Sequence, residues 1–366
     1  MHVLTVILWF ALGIGLLFLV FDSVIRTFVL PRAATPFVTR AVFISLRSCF
    51  NLVARGARTY DGRDSVMSLF GPIGLLTLPA VWSVMVLAAY TVMFHAMGVQ
   101  GFERAFEMSG SSLFTLGFVR PPDLATNVLA FLEAATGLTV LGLLIAYLPT
   151  IYSAFSRREV LVAQLEVRAG NPPSGLHLLV QSQRMERFHL LDDFWVSWQQ
   201  WFTELEETHT SLGVLSFFRS PQGHRSWVTA SGAVLDAASL RLAAVDLPFD
   251  PEAGICVRAG FFALRAIADY YNIPYDPDPH PGDPISISKD EFLEACDEMV
   301  EAGIPVRDDR DAAWFEFTGW RVNYDVPLLS LAGFIMTPYA PWSSDRSLRF
   351  RRSGFRRRPT RPLPDL

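Results

Sequence analysis

The stretch "SSLFTLGFVRPP", Ser111 to Pro122, sits between two long uncharged segments, and its reading decides what the chain builds. On one side, the only titratable residues between Asp64 and Glu103 are Tyr90 and His95. On the other, Glu133 is the only charge between Asp123 and Arg157. A helix crosses a bilayer core with ~20 apolar residues, so both flanks read as membrane helices, roughly Pro72 to Met97 and Asp123 onward. The connection between them, Gly98 to Asp123, is about 25 residues, long for a hairpin. It holds a short helical pattern, Phe102, Phe106 and Leu113, with Ser109, Ser111 and Ser112 alongside.

A further apolar run, Val3 to Phe21, is uncharged and long enough to span. It lacks the basic start and small-residue cleavage site of a secretory signal, so it is expected to remain as an anchor. Asp22 and Arg26 follow at the spacing of a helical ion pair. Arginines at 26, 32, 40, 47, 55, 58 and 63 then mark a cytoplasmic loop by the positive-inside rule. Within it, Thr35-Pro36 opens an amphipathic pattern from Phe37 to Ala54. Arg40 and Arg47 inside that pattern point to a helix lying along the inner surface. Arg157-Arg158 then places the end of the last membrane helix in the cytoplasm, with the N-terminus outside.

The expected fold is therefore an all-α membrane protein: three transmembrane helices, a re-entrant pore helix and loop, and a helical cytoplasmic domain. The divisions are 1–30 for the first helix, 31–65 for the basic loop, 66–155 for the pore module, 156–344 for the cytoplasmic domain and 345–366 for a basic, disordered tail. Hydrophobic residues make up 51% of the chain and the mean hydropathy is positive, which is high for a purely soluble protein. Cys49, Cys256 and Cys296 are widely spaced and form no CxxC pair, which argues against a disulfide framework and a zinc site.

The order helix, short hydroxyl-bearing helix, Thr-x-Gly-Phe, helix resembles the two-helix pore module of the potassium-channel superfamily, over about Ser65 to Phe155. The resemblance implies that the carbonyls of Thr115, Leu116, Gly117 and Phe118, extending to Val119, line a filter, with the Thr115 hydroxyl innermost. Such a filter replaces the hydration shell of a passing cation with backbone oxygens. One loop cannot close a ring, so a homotetramer is implied. The permeant ion, potassium by resemblance, is the only metal expected, and no cofactor is.

Two residues depart from the family pattern. Val119 stands where the family has its last filter glycine, and a β-branched residue resists the left-handed backbone. Arg120 stands where an acidic residue is usual. Glu103 and Glu107 on the pore helix and Glu133 on the last helix are the candidate supports and neutralisers. Glu133 is expected to pair with Arg120 or to hydrogen-bond the Ser109–Ser112 group, the alternative being a neutral acid between helices. Potassium selectivity, weakly selective cation passage and a non-conducting pore all stay open. Gly137, Gly142 and Pro149 are candidate hinges of a gate in the last helix, or positions of close packing.

Beyond Ser156 the chain reads as helical. Ser288 to Glu291 forms a capping box ahead of a helix that stops at Gly303, and Pro274 to Pro284 reads as a loop. No GxGxxG opens a helix, and no nucleophile–base cluster indicates an enzyme. Glu186-x-x-His189 and Glu206-x-x-His209 are about twenty residues apart on one expected helix, ~30 Å, too far to share a metal, and read as exposed polar residues. Trp195, Trp198 and Trp201 at a spacing of three read as a packed face. From Arg346 onward, eight arginines face one aspartate, a tail suited to anionic lipid headgroups rather than nucleic acid. The functional expectation is a tetrameric, potassium-channel-like channel, the alternative being a non-conducting membrane receptor or scaffold with the same architecture.

Overall fold

The structure is a computed structural model describing residues 2–28, 36–57 and 59–347. Thr35, Arg32, Arg58 and residues 348–366, most of the basic tail, lie outside the described residues. Among the described residues the fold is all-helical, with one isolated antiparallel bridge between Val245 and Val306. The chain divides into two compact units, 1–164 with 200–227, and 165–199 with 228–366. The later segment 200–227 packs with the first unit.

The first unit begins with α1 (His2–Phe28) and α2 (Phe37–Arg55). Next come α3 (Tyr60–Ser68) and α4 (Phe70–Ala96), then α5 (Phe102–Leu113) and α6 (Leu124–Ala169). Four helical stretches are long and apolar enough to cross a membrane: Leu4–Phe28, Phe37–Arg55, Tyr60–Ala96 and Leu124–Ala169. The candidate beyond the three expected is α2, the shortest of the four at 19 residues, with Arg40 and Arg47 inside it. Outward-facing Leu4, Ile7, Leu8, Leu12 and Phe18 on α1 are exposed, an apolar surface suited to lipid. Asp22 and Arg26 form the expected pair at 2.6 Å.

Buried hydroxyls tie three of these helices together. The indole N–H of Trp82 (α4) donates to Ser23 Oγ (α1) at 2.9 Å, and Ser23 Oγ meets Thr39 Oγ1 (α2) at 2.9 Å. Such bonds satisfy polar groups that neither lipid nor an apolar core would satisfy. Asp123 caps α6 by accepting from the Thr126 amide at 2.9 Å, directly after Pro121-Pro122 ends the preceding loop. Then α6 runs unbroken for 46 residues, through Pro149. At 1.5 Å per residue it is more than twice the thickness of a ~30 Å bilayer core.

The second unit takes in α7 (Gly175–Arg184), the start of α8 (Leu191–Ser211) and most of α9 (Trp227–Ala243). It continues through α10 (Pro251–Tyr270), α11 (Lys289–Glu301), α12 (Arg310–Arg321) and α13 (Asp325–Ile335). The one long helix expected around the tryptophans is broken between α7 and α8, where Glu186 takes a φ of 57°. Trp195 and Trp198 are buried in this unit, and the capping box at Ser288 and Glu291 forms as expected. At its centre Arg321, wholly buried, donates to Asp236, to Asp325 at 2.8 Å and to the Trp342 carbonyl at 2.5 Å.

The tail expected from residue 345 onward is anchored at its start. Arg346 donates to Glu291 Oε1 at 2.8 Å and to the Ser286 carbonyl at 2.9 Å. Hydrogen bonds from Arg346 bring the Glu291 carboxyl down to about 2. A depressed carboxylate contributes stability above its ordinary value near 4.5 and loses it as pH falls through about 2. The melting temperature of the chain is therefore expected to fall between pH 4.5 and 2, and to fall less steeply in Arg346→Ala. Identical slopes in the two proteins would mean that the contact contributes nothing; Glu291 is about a third exposed, so the difference is modest.

Candidate pore loop

The pore-loop candidate follows α5 directly, so the C-terminal, partially negative end of that helix meets residues 114–118, a favourable setting for a cation. Four amides of the loop return to the helix: Phe114 N donates to the Gly110 carbonyl at 3.2 Å, Thr115 N to the Ser112 carbonyl at 3.1 Å, and Leu116 N and Gly117 N to the Ser111 carbonyl at 2.8 and 3.3 Å. Thr115 and Gly117 take positive φ, 55° and 71°. Glycine adopts that conformation freely, whereas threonine resists it. Positive φ at alternate residues stops successive carbonyls from pointing to opposite sides as they do in a strand. The carbonyls of Thr115, Leu116, Gly117 and Phe118 accept no hydrogen bond from any described residue. The Thr115 hydroxyl donates to the Phe114 carbonyl at 2.8 Å.

Val119 ends this geometry. Its side chain is buried, its backbone stays outside the left-handed region, and its N–H donates to Ser111 Oγ at 3.2 Å. The side chain turns inward, because a β-branched side chain gains more from apolar burial than from the exposed loop, while the Val119 carbonyl, like the four before it, accepts no hydrogen bond from any described residue. Ser111 thus holds the loop twice, by its carbonyl and by its hydroxyl, a role that sequence reading did not assign. Ser109 and Ser111 are both buried, but two residues apart on a helix they face different sides, so their spacing does not single out Ser111.

Support residues divide among different partners. Glu133 is fully buried and receives the Ser109 hydroxyl at 2.5 Å; its other oxygen has no described partner. Of the two expected alternatives, the serine contact forms and the pair with Arg120 does not, since Arg120 is exposed. Glu107 sits 3.9 Å from Arg104 on the same helix, and Glu103 is exposed in the first turn of α5. None of the three acids neutralises Arg120.

The three hinge candidates separate equally clearly. A Cβ on Gly137 would stand 2.4 Å from the Leu113 carbonyl oxygen, so Gly137 is where α6 presses against the end of α5. Nothing lies within 4 Å of such an atom on Gly142. Pro149 has no amide to donate to the Ile145 carbonyl, which leaves the helix one bond short at that turn.

Exposed apolar side chains surround the loop. Phe114, Leu116 and Phe118 are exposed beside it, as are Phe131, Leu138, Leu141 and Ile145 along α6. Among the described residues no group of three or more His, Cys, Asp or Glu is placed to hold a metal ion. Compared with known proteins, the chain matches no family model, no curated protein and no solved structure. The fold defines an all-helical protein bearing several helices long and apolar enough to cross a membrane.

Proposed function

We propose that the chain is one subunit of a homotetrameric, potassium-channel-like channel that passes monovalent cations, potassium foremost, through the loop 115–118. The observation carrying this reading is a loop whose amides are tied back to α5 while four successive carbonyls are left without partners. Irregular backbone of that kind survives at membrane depth only where it is buried in protein or lines a water path. Four copies around an axis would turn the carbonyls toward one ion and cover the apolar side chains of the loop and α6.

In this reading α1, α4 and α6 span the bilayer, α5 re-enters from the outer side, and α2 lies along the inner leaflet. The N-terminus is outside and the second unit is cytoplasmic. Anionic headgroups attract the basic loop at 31–65 and the tail at 345–366. The protein is neither an enzyme nor a nucleic-acid binder, and it needs no cofactor beyond the permeant ion.

A second reading, a non-conducting receptor or scaffold, draws on Val119 and Arg120. A buried β-branched residue stands at the outermost position in place of glycine, and four unneutralised arginines would ring the mouth. The test is the reversal potential of purified protein in a bilayer with potassium on one side and sodium on the other. The expected result is a shift toward the potassium equilibrium potential that Thr115→Ala abolishes. A reversal near zero with clear current would mean general cation passage, silence from a verified tetramer would favour the receptor, and a monomer or dimer would end the pore reading.

A further inference from the structure

Arg158 lies on α6, beyond the stretch next to the pore loop, and is almost fully buried. Its guanidinium is used on every side. It donates to the Leu215 carbonyl at 3.0 Å, to the Phe218 carbonyl at 2.6 Å and to Glu159 at 2.9 Å. It also meets His209 Nε2 at 3.1 Å. The backbone carbonyl of Arg158 accepts the Trp201 indole N–H at 3.1 Å. Apart from Glu159, its neighbour on α6, these partners come from α8 and from the short helix Gly213–Phe217, with Phe218 just past it.

That same short helix grips the start of α4. Phe217 packs edge-on against Phe70 at 5.0 Å, and a Cβ on Gly71 would stand 2.8 Å from the Phe218 ring. Arg219 pairs with Asp64 on α3. Leu215 is buried with Leu75 of α4 and with Ile151 and Ala154 of α6. A segment from late in the chain thus fastens α6 to α3 and α4, and Arg158 is the polar bolt on the α6 side.

The hydrogen count at His209 makes the bolt conditional. His209 is fully buried, and its Nδ1 faces the Leu205 carbonyl at 3.0 Å, which only an N–H can satisfy. Nε2 must then be the unprotonated nitrogen that accepts from Arg158. The other groups facing the ring are the Thr208 hydroxyl at 3.2 Å and the Trp227 ring at 4.9 Å. The carboxylate on the far side of that guanidinium, Glu159, is already paired with Arg158. A proton on Nε2 would set N–H against N–H and cation against cation.

We propose that Arg158 is the positioning residue that holds the far end of α6 to α3–α4, and that acidification releases it by protonating His209. This rests on the channel reading only in calling α6 the gate-bearing helix. Burial, and then the Arg158 charge, hold the imidazole well below its ordinary value near 6.5. A histidine kept neutral by folding weakens the fold as pH drops below that value, because the opened segment takes up a proton that the closed one refuses.

The experiment is hydrogen exchange on the full chain in lipid nanodiscs at pH 7.5 and 5.5, corrected for intrinsic exchange rates, with ion flux measured in parallel. At pH 5.5 the opened form gains about tenfold in population, one unit below the free histidine value. Amides from Leu212 to Arg219 are expected to exchange about tenfold faster there. His209→Gln, which keeps an acceptor but takes no proton, is expected to remove the dependence. Arg158→Lys is expected to expose the same amides already at pH 7.5. Equal protection of the native chain at both pH values, the same loss in His209→Gln, or native protection in Arg158→Lys would each overturn the proposal. Acid-dependent exchange in a silent tetramer would count against the channel reading and leave this one standing.

Discussion

Arg321→Met is expected to destabilise the second unit by about 3–5 kcal/mol, the usual cost of stranding a buried charge by removing its partner. Two carboxylates depend on that guanidinium. Asp236 is 1% exposed and Asp325 4%, and neither has another cation within ion-pair distance among the described residues. Tyr324 donates to Asp236 at 2.9 Å and Ser286 to Asp325 at 2.6 Å, which softens the loss without supplying a positive charge. Denaturant unfolding followed by hydrogen exchange at α12 and α13 reads this unit directly, whereas tryptophan fluorescence mixes it with Trp9, Trp82, Trp201 and Trp227 of the first. Asp236→Asn combined with Arg321→Met should recover part of the loss, as expected for coupled sites. A cost under about 1 kcal/mol for Arg321→Met alone would show that the carboxylates find solvent or a proton instead.

Gly137→Ala is the second large effect expected, at about 1–3 kcal/mol, because overpacking forces backbone to move. The obstacle is a carbonyl oxygen in the last turn of α5, at 2.4 Å from the new methyl, with the Leu113 side chain at 3.0 Å. Neither helix can yield without shifting the loop that begins one residue later. The measurement is melting temperature and assembly state in mild detergent, and on the channel reading ion flux falls with them. Gly142→Ala is the matched control: it meets nothing within 4 Å and is expected to be neutral or to gain a few tenths of a kcal/mol in helix propensity. Equal effects at the two positions would remove the argument for close packing at Gly137.

Much of the helical layout was legible along the chain. The uncharged run between Asp64 and Glu103 becomes α4, the run after Asp123 becomes α6, and Gly170 at a φ of 77° ends it just ahead of Pro172. These follow from local physics, since charge, glycine and proline act where they stand. The capping box at Ser288 is local in the same sense and was read correctly. The break between α7 and α8 was missed because residues 182–209 keep a helical apolar pattern across it; nothing short-range marks Glu186 for positive φ.

Side-chain partners were legible only where they lie close in sequence or belong to one motif. Glu133 reads in sequence as a costly carboxylate in an apolar run, with three options open: a pair with Arg120, a bond to the Ser109–Ser112 group, or a neutral acid between helices. In sequence His209 reads as an exposed polar residue on a charged helix. It is instead buried against Arg158, 51 residues earlier. Gly137 and Gly142 look alike in sequence, yet one touches a backbone oxygen and the other touches nothing.

The sequence by itself determined that the chain is helical, that several of its helices suit a membrane, and where most of them start and stop. Hydrophobic run length, charge placement and capping are one-dimensional quantities, so a one-dimensional reading recovers them. Only the tertiary structure decided that residues 200–227 pack with the first unit, that Val119 turns inward while four carbonyls stay free, and that Arg158 is held by a neutral histidine. Those outcomes depend on which surfaces meet after the chain has folded back on itself, and burial and hydrogen-bond demand settle them across long separations in sequence.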